Sequence, residues 1–190
     1  MKKNYLQDIE SYFERLKATI DLIPKEDINE VMNVLEDARE SGRNIFIMGN
    51  GGSAATASHF VCDFNKGVSF DQEKKYRFLC LNDNIPSLMA YGNDLSYDDI
   101  FVHPLRNYFR EGDVVIGISG SGNSENVVRA VEYANANGGV TVSFTGYDGG
   151  RLAKMTRHGV NMPIHDMQIS EDLHMVLDHC MMKILSGKNC

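Results

Sequence analysis

The sequence predicts an α/β fold built on a doubly wound, five-stranded parallel sheet flanked by helices. Five runs of apolar residues have the length of buried strands, and they alternate with segments whose apolar residues recur at helical spacing. Strands that are apolar throughout are typical of parallel sheets covered on both faces. Segments rich in glycine and serine follow two of the runs, at the positions where such sheets bind their ligands.

Two helices are predicted before the first strand. Apolar residues repeat every three or four positions from Tyr5 to Ile23, which precedes Pro24, and the pattern returns from Ile28 to Ala38. Because these helices stand outside the alternation of strands and helices, we expect them to cover the sheet or to form a subunit interface.

The alternation begins after residue 44. We expect strands at residues 45–48, 78–81, 114–118, 140–144 and 160–162. Helices should follow Ser53, begin at Pro86, occupy residues 97–109, begin at Ser124, lie near Leu152 and begin near Ser170. No repeat or linker divides the chain. We therefore predict a single domain over residues 1–190, in which residues 1–42 form the packing or oligomerisation helices and residues 43–190 form the sheet core.

Composition and charge narrow the class of protein. The 190 residues are 43% hydrophobic and 24% charged, which is typical of one globular domain. The N-terminal segment alternates charged and apolar residues and the apolar runs are short, so we expect a cytoplasmic protein without a membrane partner. A formal net charge of -7 and the lack of a block of Lys and Arg argue against direct binding of nucleic acid. The four cysteines lack the spacing of a zinc or disulfide framework.

The first glycine-rich loop is Gly49-Asn50-Gly51-Gly52-Ser53-Ala54, which satisfies a permissive form of the dinucleotide-binding pattern. A dinucleotide site should add an acidic residue for the ribose about 20 residues further on. The next predicted strand ends later than that, at Leu81-Asn82-Asp83. We therefore expect no nucleotide cofactor, and a nucleotide-dependent oxidoreductase is the weakest functional alternative.

The second loop, Ser119-Gly120-Ser121-Gly122-Asn123-Ser124, leads into a predicted helix. Hydroxyl groups, small residues and the free N–H groups of a helix start can together bind a phosphate monoester without a lysine. The alternative is an ordinary turn in which Ser124 caps the helix. Two such loops after two parallel strands favour a small phosphorylated molecule as the ligand.

Acidic residues and histidines follow the first loop and cluster again near the last helix. His59 and Asp63 are four residues apart on one predicted helix, so they share a face and could contact the same ligand. Near the start of the last helix lie Glu171, Asp172, His174 and His179. The alternatives are a surface contact for the first pair and a polar helix start, favourable to the helix dipole, for the second group.

In their order along the chain, these motifs resemble those of the SIS (sugar isomerase) domain family, and within it those of the phosphoheptose isomerases. The resemblance covers nearly the whole sequence. It is carried by the two leading helices, GNGGSA with His59-Phe60, GND at Gly92–Asp94, DDIF at Asp98–Phe101, EGDVVIGISGSGNSENV, TGYDGG at Thr145–Gly150 and EDLHMVLDH at Glu171–His179. It implies a Rossmann-like or flavodoxin-like SIS domain that assembles as a homotetramer, with phosphosugar sites at subunit boundaries.

The resemblance also implies roles for individual residues. The residues implied to contact a phosphorylated sugar are Asn50, Gly51, Gly52, Ser53, Asn93, Asp94, Ser119, Ser121, Asn123, Ser124 and Glu171. A divalent metal ion, zinc in the zinc-containing members, would be surrounded by His59, Asp63, Glu171 and His179. Of these, Asp63 and His179 would be the catalytic residues that transfer protons.

This chain departs from the family pattern at two of these positions. Asp63 stands where phosphoheptose isomerases carry Glu, and Glu171 stands where they carry Gln. A misplacement of ~1 Å can cost about 100-fold in rate. On one straight helix, Glu171 and His179 would also lie about 12 Å apart along the axis. Either Glu171 precedes the helix proper, or residues of different subunits complete the metal site.

The implied function is an aldose–ketose isomerase that converts sedoheptulose 7-phosphate to a heptose 7-phosphate through an enediolate, for lipopolysaccharide or capsule precursors. The alternative is a non-catalytic regulatory protein of the same fold that binds a phosphosugar or associates with DnaA. The presence of Asp63 and His179 argues against that alternative.

Overall fold

The computed structural model describes residues 3–187, so Cys190 lies outside the described residues. Five strands form one sheet in the order β2-β1-β3-β4-β5, and every neighbouring pair is parallel. The strands are β1 Ile45–Gly49, β2 Phe78–Cys80, β3 Val114–Ser119, β4 Val140–Gly146 and β5 His158–Met162. This confirms the predicted doubly wound sheet of five parallel strands.

Eight α-helices flank the sheet within residues 3–187. They are α1 Leu6–Leu22, α2 Lys25–Ser41, α3 Gly52–Cys62, α4 Ile85–Asp94, α5 Val102–Tyr108, α6 Glu125–Ala136, α7 Gly150–Met155 and α8 Met167–Leu185. None of these helices is both long and apolar enough to cross a bilayer. Both leading helices occur as predicted.

Three local features differ from the sequence prediction. The helix expected over residues 97–109 is divided into a 3₁₀ turn at Tyr97–Asp99 and α5. A π-helical segment, Asp63–Val68, continues α3 without a break. α8 begins at Met167, ahead of the expected start near Ser170, because the Asp166 side chain accepts a hydrogen bond from the Ile169 N–H at 3.2 Å and caps the helix there.

The sheet separates two hydrophobic layers. Successive residues of a strand point to opposite faces, so Ile45 and Ile47 contribute to one layer while Phe46 and Met48 contribute to the other. The first layer is covered by α1, α2, α3 and α8, and the second by α4, α5, α6 and α7. Burying a side chain such as Phe46 completely stabilises the fold by about 1.5–3 kcal/mol.

The leading helices belong to the first layer. α2 packs on β5 and α1 packs on α8. Polar contacts fix α1 against the start of α8: the Tyr12 hydroxyl donates to Asp172 at 2.6 Å, and Arg15 pairs with Asp166 at 2.8 Å. The same layer therefore holds α3 and α8 next to each other, which brings the side chains of these two helices into contact.

Candidate active site

Both of the predicted ligand loops leave the same edge of the sheet. β1 and β3 are hydrogen-bonded neighbours with Gly49 opposite Ile118, so the segments after Gly49 and after Ser119 begin side by side. β2 and β3 lie on opposite sides of β1, so the direction of winding changes there. In doubly wound sheets, ligands bind beyond the carboxyl ends of the strands at this kind of position.

The first loop is closed by a glycine and touched by α8. Gly51 has a φ of 54°, and α3 begins at the next residue, Gly52. The Glu171 carboxylate lies against Gly52, where an added Cβ would come within 2.6 Å of the Glu171 Cδ. A carboxylate is favourable at a helix N-terminus because the N–H groups and the dipole there are positive. Glycine at position 52 allows this approach, and Glu171 is held beside the loop.

The side chain of Asn50 is held by a polar network that sequence analysis did not identify. Asn50 donates to the Asn126 Oδ1 at 2.8 Å, Asn126 donates back at 3.0 Å, and the Tyr97 hydroxyl donates to the Asn50 Oδ1 at 2.9 Å. Asn126 is buried in the first turn of α6. A polar residue among apolar ones in the first turn of a helix was the available sequence signal.

An open cavity of about 380 Å³ adjoins this network. Its walls include the loop residues Asn50 and Gly51, together with Asn82, Gly92 and Tyr97. The predicted sugar-contacting residues Asn93 and Asp94 follow Gly92 at the end of α4 and are exposed, with the Asn93 amide donating to Asp94 at 2.8 Å. The cavity is wide enough for a small polar ligand to reach the first loop.

The second loop forms a compact turn with its hydroxyl groups close together. The Oγ atoms of Ser119 and Ser124 are 3.0 Å apart, and the Ser121 Oγ accepts from the Asn123 N–H at 3.2 Å. Ser124 is the N-cap residue of α6, but its side chain makes no capping hydrogen bond. The ordinary capping role considered from sequence is therefore not the one that Ser124 adopts.

Glycine is required in this loop by close packing. Gly122 has a φ of 66°, and a Cβ there would collide with the Gly149 carbonyl. The Asn123 side chain accepts from the Arg151 N–H at 3.1 Å, which ties the loop to the start of α7. Ser53, the remaining serine implied to contact the phosphorylated sugar, is buried at the start of α3.

A second group of functional side chains forms where α3 meets α8. The Nε2 atoms of His59 and His179 are 3.0 Å apart. The Asp63 Oδ2 lies 3.5 Å from the His59 Nε2 and 3.8 Å from the His179 Nε2. Three of the four residues that sequence analysis placed at a metal are thus brought together within one chain.

The two helices explain this arrangement. Gly52 touches Glu171 near the start of each helix, and His59 touches His179 about two turns further along both, so α3 and α8 run side by side in the same direction. Seven residues correspond to ~10.5 Å along a helix. The contact between Gly52 and Glu171 lies at the first ligand loop, and the contact between His59 and His179 lies further toward the C-terminal ends of both helices.

Asp178 joins the histidine group, although sequence analysis did not select it. It is fully buried, and neither of its carboxylate oxygens has a hydrogen-bond partner. Burial and the nearby charge of Asp63 raise the pKa of Asp178 to about 8. Its position beside His179, on the side of α8 that faces α3, became evident only from the packing of the two helices.

The donor atoms present fit a metal ion. One donor atom from each of His59, Asp63, Asp178 and His179 lies within 4.8 Å of all the others, and the Asp63 Oδ2 has no hydrogen-bond partner. Donor atoms bound to one ion at ~2.1 Å lie about 3 to 4 Å from one another. The three distances among the His59 Nε2, the His179 Nε2 and the Asp63 Oδ2 fall in this range. Nitrogen and oxygen donors without a thiolate suit a hard or borderline divalent ion.

Glu171 is not part of this group. It is the fifth residue of α8, so the possibility that it precedes the helix is wrong. Its carboxylate contacts Gly52 instead, on the ligand-loop side of the helix pair. Within one chain, the structure thus separates the first loop, with Glu171, from the histidine and aspartate group.

His174 lies on α8 between these two contacts and is buried in the core. Its Nε2 is 3.2 Å from the Thr145 carbonyl oxygen, to which the neutral ring donates, and this links α8 to the end of β4. Burial lowers the pKa of His174 to about 4. The ring is therefore neutral at pH 7 and acts as a structural contact.

Comparison with known proteins agrees with this architecture. Residues 4–146 match the SIS domain family. A probable phosphoheptose isomerase of Thermoplasma volcanium is 34% identical over 186 residues, which is 96% of this chain and 92% of that protein. The phosphoheptose isomerase of Aquifex aeolicus is 31% identical over 163 residues, covering 86% of this chain and 85% of that protein.

Solved structures show the same similarity. The phosphoheptose isomerase of Neisseria gonorrhoeae superposes with a TM-score of 0.88 at 28% identity, covering 97% of this chain and 100% of that one. The enzyme of Francisella tularensis gives a TM-score of 0.87 at 26% identity, covering 98% of this chain and 100% of that one. The sheet order, the two strand-end loops and these matches together show that the chain belongs to the SIS domain family, among the phosphoheptose isomerases.

Proposed function

We propose that this protein is an aldose–ketose isomerase that converts sedoheptulose 7-phosphate to a heptose 7-phosphate, for lipopolysaccharide or capsule precursors. The observation that carries the proposal is the grouping of Asp63 with His59 and His179 where α8 meets α3, the helix that begins in the first of the two loops suited to a phosphorylated sugar. The relatives named as phosphoheptose isomerases, which match most of the chain, support the same substrate class.

The reaction requires one proton to move between carbons and another to move between oxygens. In the ketose-to-aldose direction, a base removes a proton from C1, an enediolate forms, and a proton is returned to C2. The hydroxyl proton of O1 is lost and O2 gains one, so the atoms balance. A base and an acid of suitable position are therefore needed at adjacent substrate atoms.

Asp63 and His179 are the proposed pair. The Asp63 side chain is partly exposed, and its carboxylate can accept the carbon-bound proton through the oxygen that does not hold the metal. The exposed His179 ring can exchange a proton with the substrate oxygens through the ring nitrogen that does not hold the metal. Because the two side chains are 3.8 Å apart, they can act on neighbouring atoms of one sugar.

His59, Asp63 and His179 are proposed to hold a divalent metal ion, for which zinc is the best fit to imidazole and carboxylate donors. Such an ion supplies Lewis-acid stabilisation of negative charge on the substrate oxygens when it is bound. Glu171, which the resemblance implied as a further metal ligand, is assigned here to the substrate because its carboxylate lies at the first loop.

The substrate is proposed to bind across the two loops. The serines Ser53, Ser119, Ser121 and Ser124 would hold the phosphate with the N-terminal N–H groups of α6. The sugar hydroxyls would contact the remaining residues implied by the resemblance, which are Asn50, Gly51, Gly52, Asn93, Asp94, Asn123 and Glu171. Asn50 is prepared for this role because Asn126 and Tyr97 fix its amide.

We also propose a homotetramer in the cytoplasm, with active sites near subunit boundaries. Apolar side chains of α1 remain exposed in a single chain, among them Leu6, Ile9 and Phe13. Contiguous exposed apolar surface of this kind is typical of a protein interface. Cys62 and Cys180 are free and exposed in a single chain, which suits a reducing compartment. Sedimentation of the purified protein tests the assembly, and a monomer with full activity would contradict it.

The proposed activity is tested by measuring isomerase turnover on a panel of five- to seven-carbon sugar phosphates, with metal-free protein and with added Zn²⁺ or Mn²⁺. We expect turnover to be highest with sedoheptulose 7-phosphate and to depend on the metal. Binding across the panel without turnover would favour a regulatory protein of the same fold. Turnover that is unaffected by complete metal removal would contradict the metal assignment.

A further inference from the structure

Asp178 lies in an environment that does not accommodate a free carboxylate. It has no exposed surface, and both of its oxygens lack a hydrogen-bond partner. Among residues 3–187, none of the ion pairs involves Asp178. Burying a charged group without a partner costs several kcal/mol, and a cation beside Asp178 would offset that cost.

The surroundings of Asp178 show where that positive group would be. Leu177 and Met181, its neighbours on α8, are buried in the apolar core and offer no hydrogen-bond donor. On the other side, a carboxylate oxygen of Asp178 is within 4.8 Å of donor atoms of His59, Asp63 and His179. The Asp63 Oδ2, which also lacks a hydrogen-bond partner, lies at the same place. Both unsatisfied carboxylates therefore border one small volume between α3 and α8.

From this geometry we propose that Asp178 is a direct ligand of the divalent cation, so that α3 supplies His59 and Asp63 while α8 supplies Asp178 and His179. This inference rests on the proposed cation site. Two carboxylates and two neutral imidazoles balance the charge of a divalent ion, and they satisfy the buried oxygens together. The ligand set is then complete within one chain without Glu171, which remains available to the substrate.

Asp178 should lower the stability of the metal-free protein. Without the cation, the buried Asp178 side chain lies beside that of Asp63, and the proximity of the two acidic groups destabilises the fold. Replacing Asp178 with Asn removes the acidic group and nearly preserves the shape of the side chain. The metal-free D178N protein should therefore unfold at the same temperature as the unmodified metal-free protein or at a higher one, whereas loss of an ordinary structural residue lowers that temperature.

Cation binding is measured by competition of the metal-free protein with a chromophoric chelator for Zn²⁺ and for Mn²⁺. Asp178→Asn is expected to weaken binding on the order of 100-fold, since even residues that only support metal ligands contribute about 10- to 100-fold. Asp178→Leu serves as a second variant because an apolar side chain suits the buried position. Asp37→Asn, at an exposed position of α2, is the matched control and should bind as the unmodified protein does.

The His59→Ala variant distinguishes failure of the cation site from failure of the Asp178 assignment. If it abolishes binding while both Asp178 variants bind within twofold of the unmodified protein, Asp178 is not a ligand, although the cation site stands. If the unmodified protein binds neither ion, the cation site and the role of Asp178 both fail. Weakened binding in the Asp178 variants, with an unfolding temperature in chelator that is unchanged or raised, establishes the assignment.

Discussion

The carboxylate of Glu171 lies directly against Gly52, at a distance that leaves no room for a side chain at position 52. A Cβ there would be 2.7 Å from the Glu171 Oε1 and 2.6 Å from its Cδ. Because Glu171 belongs to α8 and Gly52 begins α3, one close contact positions a negative charge at the proposed substrate loop.

Gly52→Ala should displace Glu171 and thereby weaken sugar phosphate binding. The fold itself should change little, since the clash is with the end of a flexible side chain and Ala favours the helix. The dissociation constant of the sugar phosphate should rise as it does in Glu171→Ala, and the double variant should show no further loss. Gly67→Ala, whose Cβ would make an ordinary contact at 3.7 Å, is the control. If the effects of Gly52→Ala and Glu171→Ala on the dissociation constant add in the double variant, Gly52→Ala does not act through Glu171.

Ser121→Ala and Ser124→Ala should weaken binding of phosphorylated ligands. Each hydrogen bond to a charged group is worth about 1.5–3 kcal/mol, so each substitution should raise the dissociation constant roughly 10- to 100-fold. Calorimetry with a sugar phosphate and with the corresponding unphosphorylated sugar isolates the phosphate. Ser143→Ala is the control, because Ser143 lies in β4 and its hydroxyl is hydrogen-bonded to the Thr156 hydroxyl at 2.8 Å. Unchanged phosphosugar affinity in folded variants would place the phosphate elsewhere.

His59→Ala and His179→Ala, made separately, should each lower both bound metal and isomerase turnover. The reason is that their Nε2 atoms are 3.0 Å apart and face the same volume. Metal analysis of dialysed protein and a turnover assay check the two effects. His158→Ala is the control, because His158 pairs with Glu30 at 2.8 Å, away from this group. Normal metal content together with normal turnover in either variant would remove that histidine from the set.

His174 should make the fold sensitive to acid. Burial lowers its pKa to about 4 in the folded protein, whereas the unfolded value is about 6.5. Between these pH values, His174 binds a proton in the unfolded chain but not in the folded protein. The contribution of His174 to the free energy of unfolding is therefore fully present above pH ~6.5 and is lost as the pH falls toward 4. The loss amounts to about 3 kcal/mol.

Denaturant unfolding in chelator, from pH 7 to pH 4, measures this effect. A His174→Gln variant keeps a donor toward the Thr145 carbonyl but cannot titrate. The difference in free energy of unfolding between the unmodified protein and the variant should therefore change by about 3 kcal/mol between pH 7 and pH 4. As the pH falls, the unmodified protein should lose stability relative to the variant. A difference that stays constant with pH would show that His174 does not titrate in this window.

Much of this architecture follows from local sequence. Apolar runs of strand length and helical periodicity predicted all five strands and both leading helices, because a parallel sheet buried on both faces requires continuous apolar residues. The spacing of His59 and Asp63 placed them on one helix face, and they do lie together. The π-helical segment after Cys62 was not predicted, since a widened turn leaves no clear change in apolar spacing.

The sequence by itself determined the sheet, its two strand-end loops and the residue types available for chemistry, because these depend on short-range periodicity and on glycine and serine between elements. Only the tertiary structure decided which side of α8 faces α3, and therefore that Asp178 joins His59 while Glu171 turns to Gly52. The physical reason is that two things set which residues of α8 face α3: the cap at Asp166 and packing against α3 itself. The two helices are more than 100 residues apart in sequence, and His59 and His179, which meet between them, are separated by 120 residues.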